Sequence, residues 1–164
     1  MNLDTLFLDR DGVINTKLES KYIESFSQFE FIHNSLNAIK ILSAVFKRII
    51  VVTNQQGIGK GTMSETDLNK LHQNMIIEIN LNGGKIDKIY YCPHLVSDNC
   101  QCRKPKTGML SEALKDFPDI KIENSYLVGD SITDIKAGEV FGLKTIQVNS
   151  QFTLYSWAKR LLKI

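Results

Sequence analysis

Short, nearly unbroken apolar runs alternate along this chain with longer stretches of helical periodicity. Residues 5–8 (TLFL), 48–52 (RIIVV), 86–91 (IDKIYY), 126–128 (YLV) and 144–148 (KTIQV) read as strands. Their continuous hydrophobicity suits a parallel sheet covered on both faces better than a half-solvated antiparallel one. Between them, residues 34–46 put Leu36, Ile39, Leu42 and Phe46 roughly on one stripe. A second helix begins at Ser64, where Ser64 and Asp67 have the spacing of a capping box, with Asp in place of the usual Glu or Gln. Residues 107–117 and 133–141 supply two more, and 154–162 forms a last one; Gly83, Gly84 and Gly142 sit where helices should stop. Strand and helix alternating in this order predict right-handed βαβ units and a doubly wound α/β sheet. The expectation is one domain over residues 1–164 with no linker, repeat or inserted cap domain.

In such sheets, chemistry gathers beyond the carboxyl ends of the strands. Four strand ends carry suitable residues. Asp9 and Asp11, in the run Phe7-Leu8-Asp9-Arg10-Asp11-Gly12, project two carboxylates into one small volume, which repel unless a cation or shared proton relieves them. Mg²⁺, an oxygen-seeking ion that bridges to phosphate, would do so. Thr53, Asn54 and Gln55 follow the second strand and precede Gly57-Ile58-Gly59-Lys60-Gly61; a hydroxyl and free backbone N–H groups there can hold phosphate oxygens. Arg103 and Lys104 form a compact cationic stretch, Lys104 a point charge and Arg103 a two-pronged clamp for an oxyanion. Asp130 follows the fourth strand and suits a metal. Asp134, one turn later, fits equally as a partner for Lys104 or a metal-bound water and as a helix-start residue facing the dipole.

Composition changes the picture little. The 164 residues are 43% hydrophobic and 23% charged, the balance of a globular chain, and a net charge of +2 gives no reason to expect nucleic acid or an acidic membrane. The start lacks the order of a secretory signal and no apolar run is long enough to span a bilayer, so the chain reads as cytoplasmic, with a monomer as the default. The three cysteines are more informative. Cys92, Cys100 and Cys102 crowd into one short segment with His94, and three thiolates with one imidazole make a closed tetrahedral zinc set, structural in type, in a loop over residues 92–102. His33 and His72 lie outside these motifs and read as surface or capping residues; Phe26, Phe29 and Phe31 read as packing.

The ordered set DRDG, TNQ, RKP and GDSITD resembles the haloacid dehalogenase superfamily of phosphatases over roughly residues 6–148. The zinc loop, CPH followed by CQCRKP, is similar to that of the D-glycero-D-manno-heptose 1,7-bisphosphate 7-phosphatases and of the histidinol-phosphate phosphatases. The run FEFI at residues 29–32 and the loop QQGIGKG at 55–61 lean towards the heptose branch. The resemblance implies a phosphomonoester hydrolase acting on a small phosphorylated metabolite, a sugar bisphosphate before histidinol phosphate, with an inactive zinc-stabilised binding module as a third reading. It also implies Asp9 as nucleophile and Asp11 as acid and base. Mg²⁺ would be held by Asp9, the Asp11 carbonyl and Asp130. Thr53 and Lys104 would sit on the phosphoryl group, and Lys60 would meet a second phosphate.

Overall fold

The computed structural model describes residues 3–164. Five parallel strands, β1 (Thr5–Leu8), β2 (Arg48–Asn54), β3 (Lys88–Cys92), β4 (Tyr126–Gly129) and β5 (Lys144–Gln147), form one sheet in the order β3-β2-β1-β4-β5. The chain builds outwards from β1 through β2 to β3, then crosses back to lay β4 on the other side of β1. Leu6 pairs with Ile49 on one flank and with Tyr126 on the other. The order reverses at β1, and a crevice at such a switch point is where a doubly wound sheet places its ligands.

The continuous apolar runs follow from burial on two sides. Leu6, Leu8, Ile49, Val51 and Val128 face one layer, built from α1 (Ser35–Ser43), α3 (Glu65–Leu81) and α6 (Leu154–Leu162). Phe7, Ile50, Val52 and Leu127 face the other, built from α4 (Gly108–Asp116) and α5 (Ile132–Phe141). Each fully buried Leu, Ile or Phe contributes about 1.5–3 kcal/mol relative to exposure. The helix stripes match these layers: Leu68, Leu71, Met75 and Ile79 of α3, and Leu154, Trp157 and Ala158 of α6, all pack under the first face.

The predicted elements all form, with shifted ends. The third strand starts at Lys88 and includes Cys92, and α1 stops at Ser43, leaving Phe46 buried in the connection to β2. The Ser64–Asp67 capping box is present in both directions, with Ser64 Oγ accepting from the Asp67 N–H and the Asp67 carboxylate accepting from the Ser64 N–H at 3.1 Å. A four-residue helix, α2 (Gln56–Gly59), was not predicted, because its two glycines leave no periodic signal. Between β1 and α1 there is only one 3-10 turn, at Phe26–Gln28, and no inserted domain among the described residues. No helix among them is long and apolar enough to cross a membrane.

Candidate active site

The carboxyl ends of β1, β2 and β4 open onto a polar cavity of about 240 Å³. Asp9, Asp11, Asn54, Arg103, Lys104, Asp130 and Asp134 all line it, from four separate segments of the chain. Thr53 and Gln55 lie beneath it, both buried, and Lys60 stands just outside.

Lys104 is the centre of the arrangement. Its side chain is 3% exposed, and Nζ donates to Asp9 Oδ1 at 2.9 Å and to the Val52 carbonyl at 2.7 Å, and pairs with Asp134 Oδ1 at 2.7 Å. Burial alone would lower its pKa, but the Asp9 and Asp134 carboxylates outweigh that and raise it, so the ammonium stays charged. Asn54 fixes its backbone from both sides, accepting from the Lys104 N–H at 3.1 Å and donating to the Lys104 carbonyl at 3.2 Å. For Asp134 both expected roles coexist. Oδ1 meets Lys104, while Oδ2 accepts from the Ser131 N–H at 3.0 Å at the start of α5.

The two acids of the first motif have opposite environments. Burial pushes the Asp9 carboxyl up to about 7, with Lys104 pulling it down and Asp134 and Asp11 pushing it further up. Burial would also raise Asp11, but the Arg10 guanidinium, with the amides of Asn15 and Gln55, holds it below the usual carboxylate range. Arg10 Nη2 donates to both Asp11 oxygens at 2.9 and 3.1 Å, Asn15 Nδ2 to Oδ1 at 2.8 Å and Gln55 Nε2 to Oδ2 at 3.0 Å. The same Gln55 amide donates to Thr53 Oγ1 at 2.9 Å. The Gln55 amide thus bridges Asp11 and Thr53.

Asp9, Asp130 and Asp134 each offer a carboxylate oxygen within 4.8 Å of the others, a set fit for a divalent cation. Two observations test that fit. Asp130 Oδ1 is buried with no hydrogen-bond partner, while Oδ2 pairs with Lys17 at 3.1 Å. Burial also leaves Asp9 short of positive charge even with Lys104 beside it. The residues fit Mg²⁺.

The second cluster lies at the end of β3. Cys92 Sγ is 2.9 Å from Cys102 Sγ and 3.5 Å from Cys100 Sγ, and His94 Nδ1 is 3.1 Å from Cys102 Sγ and 3.5 Å from Cys92 Sγ. A zinc tetrahedron with bonds of ~2.3 Å has sulfur–sulfur edges of ~3.8 Å, so these donors surround a volume of the right order. The thiols share charge unequally. Burial would raise Cys100, yet the Arg103 N–H and the neighbouring thiols bring it down to about 6, while burial pushes Cys92 and Cys102 up. Three crowded thiols of this kind ionise together only with a cation among them. The residues fit zinc as well.

Some residues escaped the sequence reading. His72 was expected at the surface; it is 5% exposed, and its Nε2 lies 3.1 Å from Arg10 Nη1. Arg10 is wholly buried, beside the Phe29 ring. Strand alternation carries the signal that was overlooked: continuing Leu6 and Leu8, Arg10 must point into the α3 layer, opposite to Asp9. Ser131 and Thr133, inside the GDSITD motif, also line the cavity, as do Lys17 and Lys21, which nothing in their local sequence marks. Phe26, Phe29 and Phe31 pack on one another, with ring centroids 5.5 and 5.0 Å apart. Lys60 lies over the Tyr22 ring at 5.2 Å, and Tyr22 lines the cavity.

A buried ammonium set among the Asp9, Asp130 and Asp134 carboxylates at a sheet switch point is an arrangement suited to phosphoryl chemistry. A family model described as HAD-hydrolase-like matches residues 101–161. The chain is 42% identical over 138 residues to the D-glycero-alpha-D-manno-heptose-1,7-bisphosphate 7-phosphatase of Campylobacter jejuni, covering 84% of this chain and 77% of that one. It is 39% identical over 140 residues to the D-glycero-beta-D-manno-heptose-1,7-bisphosphate 7-phosphatase of Pasteurella multocida, covering 82% and 74%. The crystal structure of the D,D-heptose 1,7-bisphosphate phosphatase from B. bronchiseptica, complexed with magnesium and phosphate, superposes with a TM-score of 0.82 at 26% identity, covering 98% and 99%. The chain is a haloacid dehalogenase-like phosphatase and belongs to the family of the heptose-1,7-bisphosphate 7-phosphatases.

Proposed function

We propose that this enzyme hydrolyses the 7-phosphate of D-glycero-D-manno-heptose 1,7-bisphosphate through a phosphoryl group carried transiently on Asp9. One observation carries the mechanism: Asp9, Lys104, Asp130 and Asp134 meet in a single cavity although they lie far apart in sequence. The substrate rests on the relatives, which carry that activity for either anomer and do not favour histidinol phosphate.

Asp9 Oδ1 is held by Lys104, which leaves Oδ2 as the attacking oxygen. It forms a bond to phosphorus as the bond to the sugar oxygen breaks, and that oxygen takes a proton from Asp11. A water then attacks the aspartyl-phosphate, giving its proton to Asp11 as the phosphorus–Asp9 bond breaks, so phosphate leaves and both acids are restored. The donors around Asp11 favour its charged form, so the form that takes the proton from water is the resting one and the acid form is the one the first step must populate. Lys104 neutralises charge on the transferring group, with Asn54 lining the same cavity and Thr53 buried beneath it. Asp9, the Asp11 carbonyl and Asp130 would hold Mg²⁺, which would supply charge neutralisation for the transfer.

Arg103 faces the far end of the cavity with Nη1 buried and unpartnered, a donor suited to the second phosphate, and Lys60 reinforces it from beside Tyr22. Zinc on Cys92, His94, Cys100 and Cys102 pins the loop that delivers Arg103 and Lys104. The test is phosphate release from heptose bisphosphate, fructose bisphosphate and histidinol phosphate, with and without Mg²⁺, by the wild type and Asp9→Asn. The expected result is Mg²⁺-dependent release, fastest from heptose bisphosphate, and none from the folded variant. Turnover by Asp9→Asn, or preference for histidinol phosphate, would overturn the assignment.

A further inference from the structure

The reading above makes Asp11 the proton carrier, and a proton carrier works only if its oxygens face the leaving group and the water in turn. What fixes them lies behind the site. Arg10 is 0% exposed, and its guanidinium is used on every edge. Nε and Nη2 face Asp11, at 3.3 and 2.9 Å from Oδ1, and Nη1 faces His72 Nε2 at 3.1 Å. Beside the group lies the Phe29 ring, 5.9 Å from Cζ to the centroid. An arginine has donors and no acceptor, so this contact requires His72 Nε2 to be a lone pair, with the imidazole neutral and its proton on Nδ1.

We propose that His72, from the middle of α3, is a positioning residue for the reaction: by accepting from Arg10 it fixes the plane of the guanidinium, and the guanidinium fixes the Asp11 carboxylate. The reasoning is geometric. A guanidinium is planar, so holding Nη1 sets the direction of the Nε and Nη2 donors on the opposite edge. Without an acceptor at Nη1, a buried N–H is left unsatisfied, and the group gains by turning to find one. Asp11 follows it, because two of its four donor contacts within 3.1 Å come from Nη2. Asn15 and Gln55 still hold the carboxylate, so the effect is misdirection and not loss. The histidine is well matched to this task. Burial and the Arg10 charge push its pKa down to about 3, so it stays an acceptor across the working range.

This inference rests on Asp11 as acid and base, and the experiment separates the two. His72→Leu keeps the volume and removes the acceptor; His72→Gln offers an amide oxygen near the position of Nε2. All variants are first checked for folding by thermal melting and circular dichroism. His72→Leu is expected to lower kcat about tenfold with KM changed less than about twofold, the pattern of an interaction lost at the chemical step. His72→Gln is expected to recover kcat to within about threefold of the wild type, and Asp11→Asn to be inactive. A folded His72→Leu with wild-type kcat overturns the inference, as does a His72→Gln no better than His72→Leu. An active Asp11→Asn would instead overturn the role of Asp11.

Discussion

Gly12→Ala is the change whose consequences the structure specifies most fully. Gly12 has φ of +86°, and a methyl group built on it would lie 2.5 Å from Asp130 Cγ and 3.0 Å from Asp130 Cβ. Carbon atoms rest at about 3.5–4.0 Å, so the Asp130 carboxylate must retreat by about 1 Å. The backbone term is separate: an alanine in left-handed conformation costs about 1–2 kcal/mol. Together with the displaced aspartate, a loss of about 2–4 kcal/mol is expected, or a fall of about 5–15 °C in melting temperature for a chain of this size. Gly61 supplies the control. It too has positive φ, at +74°, but a methyl there meets nothing within 4 Å, so Gly61→Ala carries the strain alone. The difference between the two variants isolates the movement of Asp130. Under the metal assignment that movement weakens Mg²⁺ binding, and each tenfold in affinity removes about 1.4 kcal/mol of Mg²⁺-induced stabilisation. Misplacement by about 1 Å also costs up to ~100-fold in turnover. Melting each variant in chelator and in saturating Mg²⁺, with kcat/KM alongside, gives both readings. If Gly12→Ala keeps the full Mg²⁺-induced shift and a kcat/KM within ~3-fold of Gly61→Ala, Asp130 is not a metal ligand that Gly12 makes room for.

Two further outcomes follow from the buried charges and the thiol cluster. Lys104→Met strands two carboxylates with no ammonium and is expected to cost about 3 kcal/mol, the low end for a broken buried pair because Asp9 takes up a proton readily, with Asp134→Asn restoring part of it; urea melts check this, and a deficit below ~1 kcal/mol would count against the triad. Elemental analysis is expected to find about one zinc per chain, and its removal by chelation to lower the melting temperature by at least ~5 °C and to weaken substrate binding through Arg103; a zinc-free protein with unchanged melting would dismiss the structural zinc.

Much of this was legible in the chain itself, for reasons that differ by element. The strands were visible because a sheet covered on both faces makes each strand apolar throughout, and every one of the five runs corresponds to a strand. Their ends were not, since Cys92 and Asn54 extend strands into polar, ligand-bearing positions where hydrophobicity gives no cue. Helix α3 declared its start through Ser64 and Asp67, whereas α2 consists of two glycines, an isoleucine and a glutamine, with no stripe to read. In the site, residues at strand ends were found because topology alone sends them to one crevice. Gln55 was expected to bind phosphate; its side chain lies buried with its amide on Asp11 and Thr53, a contact that strand-end position alone does not announce. His72 was missed for a related reason: its partner is an arginine 62 positions away. Lys17 and Lys21 sit in an irregular segment, and only the folded path of residues 16–25 brings them to the cavity.

Charge decides what this cavity can accept. Asp11 is matched by Arg10, and Asp130 by Lys17, whose side chain is 58% exposed and so contributes little. Asp9 and Asp134 share Lys104 between them, which leaves the inner site one negative charge in excess before any substrate arrives. A phosphate monoester brings about two more, and among the described residues the only further cation lining the cavity beside the exposed Lys17 and Lys21 is Arg103. An anion entering this site without a divalent cation would therefore meet an acid trio with a single ammonium, in a place where burial already disfavours the charged form of Asp9. A divalent ion shared by Asp9 and Asp130, as proposed, would resolve the conflict, and Asp130 Oδ1, buried and without a partner among the described residues, is the atom free to take it.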